Sequence, residues 1–193
     1  MNISDGAFLQ RFGIQIDFEK FYRNGVEDIT KQLQDEIRDI AAEQEKNSNL
    51  YKTLGEDGIS ANFVSALNRT FLFKAHAQSN SRGHVDITVV CPSFSEHQFE
   101  YLGEAKIWRG PKYCIDGFDQ LNGYVTGRLP RAFMILYFRS TECDVPFEEY
   151  VNQLVTDKGG KLICRESRFI VTEHQHKSTA KIFIDHYAVH MPE

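Results

Sequence analysis

Cysteine is scarce in this chain of 193 residues: four, at Cys91, Cys114, Cys143 and Cys164, far apart and with no C-x-x-C pair. That spacing argues against a disulfide framework or a zinc site and suits separate thiols in a reducing compartment. Positive charge is not in excess either. Lys and Arg number 22 against 27 Asp and Glu, a net charge of −5, which argues against a strongly basic, non-specific nucleic-acid binder. An acidic site and an acidic helical face both lower that total, so local basic ground is still compatible with it. No stretch approaches the roughly 18 consecutive apolar residues of a membrane span, so no membrane partner is expected. The first twenty residues lack a basic region followed by an apolar run, so no secretory signal is expected and the location expected is cytoplasmic. Repeats and low-complexity segments are also missing.

What is present is the composition of an ordinary globular protein, 41% hydrophobic and 25% charged, long enough for one well-buried core with a small appendage. Fifteen Phe and eight Tyr suit a sheet packed with helices. Between residues 18 and 45, Phe18, Phe21, Val26, Ile29, Leu33, Ile37 and Ile40 recur at helical intervals. This predicts an N-terminal helical extension over residues 1–50, either capping the core or pairing with a second copy. Ile59, Phe63 and Leu67 predict a helix over 55–68, with Glu56 on the same stripe at its N-terminal end. Strands are expected at 71–76, 85–90 and 99–108, then a turn at Gly110-Pro111 and a helix near 116–126. A continuously apolar central strand is expected at 132–138, a helix at 147–157 stopped by Gly159-Gly160, and strands at 167–172 and 181–189. The order predicts a mixed sheet flanked by helices, within a core spanning 51–193.

Glu104-Ala105-Lys106, closing the third of these strands, is the only acidic-x-lysine tripeptide in the chain. Residues two apart on a strand share a face, so Glu104 and Lys106 point the same way. If the strands 85–90 and 99–108 pair as a hairpin around residue 95, Asp86 falls roughly opposite Glu104. Opposed carboxylates come within about 5 Å at their Cβ atoms and repel. A divalent cation is the natural group to stand between them.

Glu56 on a helix, Asp86 opening the second strand and Gly103-Glu104-Ala105-Lys106 ending the third resemble the PD-(D/E)XK nuclease superfamily, the restriction-endonuclease-like fold. The likeness covers about residues 51 to 140, the α-β-β-β-α-β core. It extends to Gln120-Leu-Asn-Gly-Tyr124, similar to the Gln-x-x-x-Tyr element of RecB-type members. One departure is Val85, where the motif has proline. The resemblance implies a metal-dependent nuclease acting on nucleic acid, DNA favoured, in restriction, phage defence or a related role.

The residues make chemical sense in that light. Mg²⁺ or Mn²⁺ held by one or two carboxylates keeps waters and leaves room for phosphate oxygens, acidifying a water and screening the phosphate. Asp86 and Glu104 are the expected direct ligands. The resemblance adds the Ala105 carbonyl, and Glu56 through a water or on a second metal. Lys106 is expected to orient the attacking water or stabilise developing charge. Gln120 and Tyr124, four apart, share a helix face and are expected to contact metal-bound water or the substrate backbone. Arg109 and Lys112 are expected at flanking phosphates, with Arg69, Lys74, Arg82, Arg128 and Arg131 as further candidates.

Blander readings stand beside these. Glu104, Lys106 and Asp86 could form a cross-strand ion-pair ladder worth under about 1 kcal/mol at a surface, which would leave Glu56 unexplained. Glu56 and Asp57 could simply complement a helix dipole, and Gln120 and Tyr124 could be packing residues. His84 reads as a solvated loop histidine, Trp108 as a packing residue, and His174 with His176 as two imidazoles on one strand face that are not expected to bind zinc. A catalytically inert nuclease-fold nucleic-acid-binding or assembly module is the alternative in function. A homodimer or larger homo-oligomer, paired through the N-terminal helices, is a separate expectation about assembly.

Overall fold

Short apolar and aromatic runs bounded by turns build one mixed sheet in the computed structural model, which describes residues 26–70, 72–79, 85–92, 99–125, 131–140, 142–176 and 180–192. Its strands are β1 (Lys74–Ser79), β2 (Val85–Val90), β3 (Glu100–Ile107), β4 (Arg131–Phe138), β5 (Lys161–Glu166), β6 (Phe169–Gln175) and β7 (Lys181–His190). They lie in the order β1-β2-β3-β4-β7-β6-β5. The first three form an antiparallel meander, β3–β4 and β4–β7 are parallel, and β7, β6 and β5 return antiparallel. Parallel neighbours need a crossover. Helix α3 (Pro111–Tyr124) supplies it between β3 and β4, and α4 (Asp144–Thr156) begins the longer path from β4 to β7. Among the described residues, the α-helices α1 (Val26–Lys46) and α2 (Glu56–Leu67) precede the sheet. The architecture is α/β, a mixed sheet flanked by helices.

The sheet has a core on each face. Ile29, Leu33 and Ile37 of α1 and Ile59, Phe63 and Leu67 of α2 pack with Ala105, Phe133, Ile135 and Tyr187. On the opposite face Cys114, Phe118 and Leu121 of α3 and Tyr150 and Leu154 of α4 pack with Met134, Leu136 and Ile184. Strand β4 is buried from Ala132 to Phe138, as a central strand with helices on both faces must be. The apolar stripe of α1, through Ile29, Leu33, Ile37 and Ile40, is spent on its own chain. Gln34 Nε2 and Tyr101 OH both donate to buried Asp185 on β7, at 2.8 and 2.7 Å, which ties α1 to the sheet. Phe18, Phe21, Phe71, Arg82, His84 and Arg128 lie outside the described residues.

Several boundaries differ from the sequence expectation. β1 begins at Lys74, and Asn68 clamps Ala75 just inside it, its Nδ2 donating to the Ala75 carbonyl and its Oδ1 accepting from the Ala75 N–H, each at 2.9 Å. Helix α3 starts at Pro111 instead of Asp116: proline at the first helical position needs no amide partner, and Gly110 turns into it with φ 108°. Likewise α4 begins at Asp144, three residues early, with Pro146 in its first turn. Strand β5 is unforeseen. It is an edge strand with mostly exposed side chains, so it carries no buried alternation to read.

Candidate active site

Strands β2 and β3 pair from Val90–Glu100 to Ile87–Gly103 and then part. The last pair leaves Asp86 and Glu104 as the next residues on the two strands, where the hairpin reading of the sequence puts them opposite each other. Parting leaves the β2-facing edge of β3 without a partner strand, and carboxylates take its place. The Ala105 N–H donates to Asp86 Oδ2 at 3.2 Å. Two residues on, the Ile107 N–H donates to Glu56 Oε1 at 2.9 Å, reaching across from the first turn of α2. A buried amide left unpaired here would cost about 1–3 kcal/mol. The Ala105 carbonyl lies on the same strand edge as its N–H and so faces the split.

Alternation along β3 sends Glu104 and Lys106 to the α3 face. Lys106 Nζ stands 2.6 Å from Glu104 Oε1 and 3.9 Å from Asp86 Oδ2. Glu104 is only 2% exposed, so this is not a surface ladder. Its Oε2 is buried with no hydrogen-bond partner. Burial pushes the Glu104 carboxyl up to about 7, with the Asp86 charge adding to the rise and the Lys106 ammonium opposing it. Asp86 is raised too, burial outweighing its bond from Ala105 and the nearby Lys106. For Lys106, burial pulls downward, yet the bond to Glu104 and the charges of Glu104, Asp86 and Glu56 prevail and hold the ammonium above the ordinary lysine range. Burial thus favours the protonated form of both carboxyls beside a lysine whose charge their proximity sustains.

Glu56 is tied differently. Besides Ile107, the hydroxyl of Tyr113 donates to Glu56 Oε1 and Oε2 at 3.0 and 2.9 Å. Tyr113 goes unnoticed in the sequence because a helix start at Asp116 leaves it in a loop; Gly110-Pro111, read there only as a turn, is also the start of the helix. Arg139, equally unforeseen, donates from Nη2 to the carbonyls of Tyr51 (3.1 Å) and Leu54, and so pins the loop entering α2 just ahead of Glu56. Nothing local in the sequence marks that contact. Gly103, before Glu104, has a packing reason: a Cβ there would lie 2.2 Å from Phe133 Cζ.

The chain matches no family model, no curated protein and no solved structure.

The remaining candidates are more scattered. The Arg109 guanidinium lies 5.0 Å over the Tyr113 ring, and exposed Lys112 sits in the first turn of α3, so both flank the cluster. Gln120 is exposed, and Tyr124, the last residue of α3, packs partly buried against the core on that face; neither joins the hydrogen-bonded cluster. Arg69 and Lys74 are exposed, while Arg131 stacks over Phe183 at 5.1 Å, away from the site. Trp108 packs on Phe138, ring centroids 5.0 Å apart. His174 is buried and hydrogen-bonded through Nε2 to Thr172 at 2.8 Å.

Among the described residues, no group of three or more His, Cys, Asp and Glu side chains gathers to hold a metal ion. Glu56 is committed to Ile107 and Tyr113, which leaves Asp86 and Glu104 as a pair. That pair still fits a hard divalent cation: carboxylate oxygens, a neighbouring backbone carbonyl, and the buried, unpartnered Glu104 Oε2.

Proposed function

We propose that this protein is a divalent-metal-dependent nuclease of the restriction-endonuclease-like class, hydrolysing phosphodiester bonds in DNA. The observation that carries the reading is Lys106 Nζ held between Glu104 and Asp86 where β2 and β3 part. The element order α2-β1-β2-β3-α3-β4 supports it, being the α-β-β-β-α-β core that the motif residues resemble. Asp86, Glu104 and the Ala105 carbonyl would hold Mg²⁺ or Mn²⁺, which when bound acidifies a water and screens the phosphate. Lys106 has three donors and spends its short contact on Glu104; the others serve to orient a water or a phosphate oxygen and to offset charge growing on the phosphate. Glu56 acts from behind, closing the edge of β3 against Ile107 and Tyr113. Arg109 and Lys112 meet flanking phosphates.

The test is purified protein with plasmid and linear DNA, with and without Mg²⁺ or Mn²⁺. Lys106→Ala and Asp86→Ala should each abolish metal-dependent cutting while circular dichroism stays that of the parent. If either variant cuts as well as the parent, the site assignment is wrong. A second reading, a nuclease-fold binding module without catalysis, is favoured by one observation: Glu56 is turned to Ile107 and Tyr113 instead of joining Asp86 and Glu104. Calorimetry separates the two. Mn²⁺ binding that disappears in Glu104→Ala supports the enzyme, and no binding supports the module.

A further inference from the structure

Lys106 reaches its partners by crossing α3, and one residue of that helix makes room for it. A Cβ built on Gly117 would stand 2.7 Å from Lys106 Cε, 3.1 Å from Cγ and 3.4 Å from Cδ. Gly117 is buried in the interior of α3, a position where glycine is among the least favourable residues for a helix. Its backbone does not ask for glycine, since the positive-φ glycines among the described residues are Gly110 and Gly159. The reason for glycine there is therefore steric, and what it admits is the lysine stem. Tyr113 lies one turn earlier on the same helix face. Its ring is 6.0 Å from Lys106 Nζ, and its hydroxyl holds Glu56. Gly123, on the same helix, is a built-in contrast: a Cβ there meets nothing within 4 Å.

We propose that Gly117 is a positioning residue, a notch in α3 that seats the side chain of Lys106 so that its ammonium stands between Asp86 and Glu104. A bland helix glycine would have open space beside it, as Gly123 has. Adding a methyl at Gly117 meets the middle and far end of a flexible side chain, not backbone. The lysine yields, and the helix stays. The seat is a statement about packing alone; its catalytic consequence rests on the nuclease reading given above.

The experiment compares Gly117→Ala and Gly123→Ala with the parent. Acylation of Lys106 in the folded protein, read by peptide mass spectrometry, reports the seat without reference to activity. Lys106 should react faster in Gly117→Ala and at the parental rate in Gly123→Ala. In metal-dependent cleavage, Gly117→Ala should lose about 100-fold in kcat, the penalty typical of a group displaced by about 1 Å, with KM and calorimetric Mn²⁺ affinity near parental values. Parental acylation of Lys106 in Gly117→Ala overturns the seat, whatever the cutting does. Faster acylation with undiminished kcat overturns its role in positioning. If the parent cuts no nucleic acid while acylation responds as expected, the seat stands and the nuclease reading falls. Should Gly117→Ala fail to fold, the double variant Lys106→Ala/Gly117→Ala decides. A folded double variant traces the damage to the lysine contact, and an unfolded one overturns the proposal.

Discussion

Glu104 is under two opposed demands. It is almost wholly buried, which favours the protonated form, yet Lys106 Nζ at 2.6 Å favours the charged one. Burial prevails, and the carboxyl sits at about 7 against an ordinary 4.5. The sign for stability follows. Between these values the native state keeps a proton that the unfolded chain has released, so the Glu104 contribution is fullest below about pH 4.5 and is lost as pH rises to about 7. Glu104→Gln cannot ionise. In chelator, the stability of Glu104→Gln relative to the parent should therefore climb with pH across this window, by something on the order of 3 kcal/mol. Urea unfolding at several pH values checks it, and a flat difference would refute the assignment. The triad of Asp86, Glu104 and Lys106 was legible because period two and a register sum are properties of local sequence. The partners of Glu56 were not: they come from Ile107 and Tyr113, 51 and 57 positions away.

Among the elements, β3 and α3 do most to shape the site. β3 gives one edge to β2 for only part of its length, and the remainder becomes the site floor. Its Gly103 lets the Phe133 ring of β4 lie against the strand directly below Glu104. A methyl there would press 2.2, 2.5 and 2.7 Å from three ring carbons. Phe133 is fully buried and has nowhere to move. Gly103→Ala should therefore destabilise the protein by about 1–3 kcal/mol, as overpacked cores do, lowering the urea midpoint with little change in m. An unchanged midpoint would show the ring to be freer than its packing implies. Helix α3 illustrates the opposite lesson. Its body from residue 116 onward was readable, but its first turn was not, and that turn carries Lys112 and Tyr113. β5 escaped for a different reason, since an edge strand with exposed residues shows no one-sided pattern.

At the scale of the whole molecule, both faces of the sheet bury polar groups. On the α3 and α4 face, Tyr150 OH meets His186 Nδ1 at 3.0 Å, His186 Nε2 meets Thr172 Oγ1 at 2.7 Å, and Thr172 meets His174 at 2.8 Å. Burial holds His186 well below the ordinary 6.5, with the neighbouring His174 adding to the effect, and burial lowers His174 too. Burial thus disfavours the charged form of both imidazoles in the native state. Below about pH 6.5 the unfolded chain takes up protons that the native protein cannot, so stability falls with acidification. Each such histidine contributes a slope of about 1.4 kcal/mol per pH unit. His186→Phe should be less stable at pH 7, having lost two hydrogen bonds, but its acid-side slope should be shallower by that amount. Chemical denaturation from pH 7 to 5 measures it, and parallel slopes would mean that His186 is protonated in the native state.

Sequence alone determined the α/β class, the central apolar strand and the acidic and lysine side chains that share one strand face, because each follows from periodicity within a few residues. Tertiary structure alone decided that β2 and β3 part at Asp86, that Glu56 turns to Ile107 and Tyr113, and that a glycine on α3 leaves space for Lys106. Those are contacts between segments far apart in the chain, and their cause is close packing in three dimensions, which no local pattern encodes.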